Sequence, residues 1–175
     1  MCAGRLSSGE MFFNGARRKG QTGAMLVDTH VHLQDSSFDK DRDAVIGRAH
    51  AADVRILVTA GIDLPSSEAA VRLAEKTEGM YAAVAVHPNH LKEAPPDWEP
   101  EIRRLAAHPK VKAIGETGLD FYRKFTTPEE QREAFVKHLR MARDLGKPLI
   151  LHSRASGKEV LDEIESENVD FVRLQ

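Results

Sequence analysis

The 175-residue sequence is poor in cysteine: Cys2 stands alone, which excludes an intramolecular disulfide and a cysteine-rich zinc site and fits a reducing cytoplasm. No apolar run approaches the ~20 residues of a membrane span, so no membrane partner is expected. Arg17-Arg18-Lys19 has no apolar segment after it, so neither a secretory nor a twin-arginine signal is read there. A strong charge of one sign is also missing. The net charge of -2 argues against a surface that grips long duplex nucleic acid through many phosphates. No Ser/His/Asp or Cys/His arrangement offers a side-chain nucleophile. No obligate protein partner is indicated either.

What is present is ordinary for one globular domain, at 41% hydrophobic and 30% charged residues. Residues 1–24 carry five glycines and no periodicity, and are expected to be a disordered leader, with the fold running from 25 to 175. Apolar runs at 25–28, 55–60, 81–86, 111–115, 148–152 and 170–174 read as strands. Helical spacing lies between them. The segment 39–52 sets Val45, Ile46 and Ala49 on one face, and Pro65 opens a helix striped by Ala70, Val71 and Ala74. Trp98, Ile102 and Leu105 mark a third. A fourth starts at the capping box Thr127-Pro128-Glu129-Glu130, repeats Phe135, Leu139 and Ala142, and stops at Gly146. The fifth, about 157–168, carries Val160, Leu161 and Ile164.

Strands this apolar, alternating with helices, imply a parallel sheet covered on both faces, hence an α/β fold. Two architectures share the pattern. A doubly wound sheet would place a glycine-rich phosphate loop after its first strand, and none is found. The polar residues instead follow several strands, as at the mouth of a TIM-type (β/α) barrel. Such a barrel needs about 250 residues, so the expectation is a barrel truncated after about six strands.

The chemistry-bearing residues sit at those strand ends. His30 and His32, two apart on an extended segment, point to one side and can reach one metal ion. Glu116 and His152 are the candidates for a further ligand, each after an apolar β-branched run. Imidazole suits zinc and other first-row metals, and a carboxylate suits bridging between two ions. Asp120 is placed to orient a ligand or to cap a turn. His87 closes a strand and is expected to contact substrate. Arg154 is a fixed cation able to pair with phosphate. His50, His108 and His138, away from strand ends, are expected to be solvated, and His90 is undecided. Arg123 and Lys124 are candidates for holding an anion. Metal-activated water is then the economical nucleophile.

Four stretches, Asp28-Thr29-His30-Val31-His32-Leu33, Ala85-Val86-His87-Pro88, Gly115-Glu116-Thr117-Gly118-Leu119-Asp120-Phe121-Tyr122 and Leu151-His152-Ser153-Arg154, resemble the TatD family of metal-dependent hydrolases. The resemblance covers essentially Met25 to Gln175, the N-terminal two-thirds of such a protein. It implies a TIM-type barrel with two divalent metal ions (Zn, Mg or Mn). His30 and His32 would hold one, His152 the other, and Glu116 would bridge them as the catalytic carboxylate. It also implies 3′–5′ exodeoxyribonuclease activity on single-stranded DNA. The alternatives are a non-catalytic fragment of such an enzyme, or an ester hydrolase acting on D-aminoacyl-tRNA. In the family a further histidine ligand and an aspartate general base follow, which have no match in this sequence.

Overall fold

A computed structural model describes residues 25–168. Five strands, β1 (Leu26–Val31), β2 (Val54–Ala60), β3 (Met80–Val84), β4 (Val111–Asp120) and β5 (Leu149–Arg154), form one sheet. Every neighbouring pair is parallel and the order is β1-β2-β3-β4-β5. Helices fill the crossovers: α1 (Arg42–Ala51), α2 (Leu64–Lys76), α3 (Trp98–Ala106) and α4 (Pro128–Leu145), with α5 (Gly157–Ser166) following β5. A doubly wound sheet reverses its strand order at a switch point. Here each strand adds beside its predecessor in one direction, which is how the staves of a barrel are laid. The barrel expectation holds.

The packing explains the apolar strands. One cluster joins the outer face of the sheet to the helices, with Met80, Val84, Ile102, Ile114, Phe135 and Leu139 fully buried. A second, small cluster on the other face is built from Ala60, Ala83 and Ala113 with Val58 and Ile150. Strands β3 and β4 are buried on both faces, as parallel strands must be when covered on both sides. Phe135 and Leu139 lie one turn apart on α4, and burying each contributes about 1.5–3 kcal/mol. No helix among the described residues is long and apolar enough to cross a membrane.

Helix ends follow the expected chemistry. Thr127 and Glu130 form the capping box that starts α4, and Gly146 closes the helix with φ +61°. Helix α2 begins on a second box, Asp63 with Ser66. Other expectations shift. Strand β1 runs on to Val31 rather than 28, β3 ends at Val84 rather than 86, and β4 extends five residues past 115. Residues 36–38 form a separate 3₁₀ turn, so α1 starts at Arg42 instead of 39. Leu161 is half exposed rather than part of the α5 stripe. The expected leader 1–24 and the strand at 170–174 lie outside the described residues.

His138 is the clearest departure, because it is wholly buried rather than solvated. It stands three residues after Phe135, inside the buried stripe of α4. Its Nδ1–H donates to the Ala134 carbonyl at 2.8 Å, and its Nε2 accepts the Val86 amide at 3.1 Å. Trp98 stacks on the ring at 4.7 Å. With both nitrogens committed, a second proton has no acceptor, and burial pushes the ring down to about 4. A histidine whose pKa is depressed by folding binds its proton more readily when unfolded. Stability is therefore fully present above the unfolded value near 6.5 and is lost as pH falls toward 4. Between pH 7 and pH 5 the expected loss from this residue is about 2 kcal/mol. Urea midpoints at the two pH values check it: His138→Gln should flatten the difference, and an unchanged difference would contradict the assignment.

Candidate metal centre

The polar cluster gathers toward the C-terminal ends of β1, β2 and β5, around Glu116 four residues inside the end of β4, and where β3 gives way to its loop. His30 is the penultimate residue of β1, and His32 follows that strand directly. The His30 amide donates to the Asp28 carboxylate at 3.1 Å, fixing the backbone just before the pair. Glu116 is reached through β4, whose pairing with β5 is irregular between Ile114 and Thr117. Its amide donates across to the Gly61 carbonyl at 3.1 Å, and the Gly115–Glu116 peptide is cis. The His87 amide donates to Ile62 at 2.8 Å, which ties the β3 loop to the end of β2. Ile150 and His152, two apart on β5, face the same side of the sheet.

Glu116 is the hub. Its Oε2 lies 3.1 Å from His30 Nε2 and 3.4 Å from His32 Nε2, while its Oε1 lies 3.1 Å from His152 Nδ1 and 3.8 Å from His87 Nε2. Two triads with metal-ligating geometry share it: His30, His32 and Glu116, and His87, Glu116 and His152. In each, the donor atoms lie within 4.8 Å of one another. Burial pushes the Glu116 carboxyl up, but the contacts with His152, His30 and His32 together hold it well below the usual carboxylate range. The same carboxylate raises His32 and His152 against the opposing effect of burial.

The partners on the far sides of the rings decide which atoms can bind a cation. His32 Nδ1–H donates to the Ala60 carbonyl at 2.7 Å, leaving the Nε2 lone pair toward Glu116. That carbonyl also accepts Gln34 Nε2 at 2.7 Å, and Gln34 in turn accepts the hydroxyl of Thr59. His152 Nε2–H donates to Asp120 at 3.2 Å, leaving Nδ1 toward Glu116. Carboxylate or carbonyl behind an imidazole is the support that metal-ligating histidines use. His87 is different. Its Nδ1 accepts the Asn89 amide at 3.1 Å, so its proton sits on Nε2, the atom that faces Glu116. Burial and the neighbouring His152 push His87 down to about 4, so it is a neutral N–H donor near pH 7. The donor set that fits a divalent cation is thus His30, His32, Glu116 and His152.

Asp120 does both things its position allows. One oxygen accepts His152 and the Asn89 side-chain amide at 3.0 Å, and the other accepts the backbone amides of Tyr122 and Arg123. Burial works to raise its carboxyl, and the Arg123 amide, Asn89 and His152 hold it below the ordinary range. Arg154 stands two residues beyond His152 and lies over the Tyr122 ring at 3.9 Å. His108 pairs with Glu75 and His90 with Glu93, outside the cluster. Sequence reasoning missed Asn89 and Gln34. Gln34, two residues beyond His32, carried no local signal that separates it from an ordinary loop residue.

Similarity to known proteins extends over most of the chain. The model of the family described as TatD related DNase matches residues 27–173. A Mycobacterium tuberculosis protein called an uncharacterized metal-dependent hydrolase TatD is 41% identical over 150 residues, covering 81% of this chain and 56% of its own. The 3′-5′ ssDNA/RNA exonuclease TatD of Escherichia coli K12 is 41% identical over 140 residues, covering 80% and 54%. The crystal structure of YJJV, a TatD homologue from Escherichia coli K12, superposes with a TM-score of 0.78 at 26% identity, over 83% of this chain and 57% of that one. A TatD family hydrolase from Entamoeba histolytica shares the fold with a TM-score of 0.73 at 20% identity. The chain spans about half the length of the curated relatives it matches.

Proposed function

This chain belongs to the TatD related DNase family, and from that membership we propose that its histidine–carboxylate cluster binds two divalent metal ions for hydrolysis of phosphodiester bonds in single-stranded DNA. The observation that carries the proposal is the sharing of Glu116 between His30 and His32 on one carboxylate oxygen and His152 on the other. His30 and His32 would hold one ion, His152 would hold the second, and Glu116 would serve both. Bound divalent ions lower the pKa of water and offset the charge that develops on the phosphate during displacement.

The chain's own groups supply the rest. Asp120 keeps His152 in the tautomer that offers Nδ1, and Ala60 does the same for His32. His87 presents Nε2–H to a phosphate oxygen, and because it is neutral it donates without carrying a charge of its own into the site. Arg154 supplies the permanent charge for a neighbouring phosphate. A cytoplasmic setting suits the single cysteine of the sequence.

The test is release of nucleotides from 5′-labelled single-stranded DNA by the purified chain with Mg²⁺, Mn²⁺ or Zn²⁺. Shortening from the 3′ end that stops with EDTA supports the reading. An absence of cleavage with every metal would overturn it, and preferential release of D-aminoacyl groups from tRNA would replace the substrate.

A further inference from the structure

Most arginines of the described residues are neutralised. Among the described residues, every arginine except Arg123 and Arg154 is ion-paired with a carboxylate. The two exceptions are close in the fold, because Asp120 and Arg154 are register partners at the ends of β4 and β5. Each lies over an aromatic ring instead: Arg154 over Tyr122 at 3.9 Å and Arg123 over Phe125 at 6.0 Å. Those rings are the most exposed aromatics of the described residues, Tyr122 at 65% and Phe125 at 55%. Apolar rings left in water beside unpaired guanidinium groups have no folding rationale, since neither fills the core nor closes an ion pair.

The surroundings favour an anion. Arg123, Lys124 and Phe125 line a cleft of about 680 Å³ that reaches Asp120, the residue bonded to His152. Its carboxylates are already committed: Asp120 as above, Glu130 to the Thr127 amide at 2.8 Å, and Glu133 to Lys137 at 2.9 Å. The backbone under Arg123 is fixed, because its amide donates to Asp120 at 2.8 Å. The loop is thus anchored to the group that orients the metal centre, while its side chains face solvent.

Flat rings alternating with unpaired cations match the two needs of a single nucleic-acid strand, a surface for bases and charge for phosphates. We infer that the loop between β4 and α4 is the strand-binding platform, with bases stacked on Tyr122 and Phe125 and phosphates held by Arg123, Lys124 and Arg154. The inference rests on reading the metal centre as a nucleic-acid hydrolase, and it adds where the strand lies as it leaves that centre. A duplex, whose bases are already stacked, gains nothing from the rings.

Binding of a fluorescent oligothymidylate in EDTA, where no cleavage occurs, separates this inference from the hydrolase reading. The Tyr122→Ala/Phe125→Ala double variant should bind at least about tenfold more weakly, with an unchanged melting temperature because both side chains are exposed. Tyr122→Phe should retain tight binding. Arg123→Gln with Arg154→Gln should flatten the salt dependence by roughly one to two counterions. Failure of the parent chain to bind the oligonucleotide, or equal affinity in the double variant, would overturn the platform. A chain that binds through these residues yet releases no nucleotide with any metal keeps the platform and overturns the hydrolase reading. Cleavage with an unaltered KM in the double variant does the reverse.

Discussion

Replacing Glu116 with glutamine is expected to weaken divalent-metal uptake by at least about 100-fold and to lower the proposed nuclease turnover by about 10³-fold or more. The reason is that one carboxylate serves both halves of the cluster, 3.1 Å from His30 on one oxygen and 3.1 Å from His152 on the other. Glutamine keeps the size but offers one neutral oxygen, so it can serve only one half. Metal charge stabilisation amounts to several kcal/mol, and each 1.36 kcal/mol is a factor of ten in rate. A second readout needs no metal. The Glu116 carboxylate is the first cause of the raised pKa of His32 and of His152. In Glu116→Gln both rings should titrate at lower pH, which imidazole NMR resonances report directly. Unchanged metal affinity together with unchanged histidine titration would remove Glu116 from the centre.

Gly118→Ala is expected to destabilise the fold on the order of 4 kcal/mol, a large share of the 5–15 kcal/mol of a typical domain. Gly118 pairs with His152 across β4 and β5, and a Cβ there would stand 2.0 Å from the His152 carbonyl oxygen. The obstacle is backbone, which cannot rotate away, and the φ of +144° is one that side-chain-bearing residues rarely adopt. The strands must separate where His152 is delivered to Glu116. Stability and metal binding should therefore fall together, whereas Glu116→Gln, which leaves the strands in register, should lower metal binding much more than stability. Denaturant melts with and without Mn²⁺ distinguish the two, and a Gly118→Ala protein as stable as the parent would contradict the close approach.

The same glycines show why part of the site was hard to read. In sequence, Gly115 and Gly118 look like the end of a strand, so β4 was expected to stop at 115. In the fold they let β4 approach β5 closely, with Ile150 and His152 as the near neighbours, and the strand continues to Asp120. His30 and His32 were legible because a period of two on an extended segment has one geometric meaning. Helix α4 was legible because its cap, stripe and stop are all local. His138 was readable in principle, since it falls on the stripe of Phe135 and Leu139, but a polar residue is assigned to solvent by default. Asn89 had no local signal at all: its bond to Asp120 spans 31 residues and exists only after β3 and β4 are side by side.

His30, His32, Glu116 and His152 are proposed to form one cation-binding centre with Glu116 between its halves. Anomalous diffraction at the manganese edge, from crystals of this chain grown with Mn²⁺, tests it most directly. Anomalous density is expected within coordinating distance of Glu116, bounded by His30 and His32 on one side and by His152 on the other. Ordered manganese at other residues, with the four side chains still hydrogen-bonded only to one another, would contradict it.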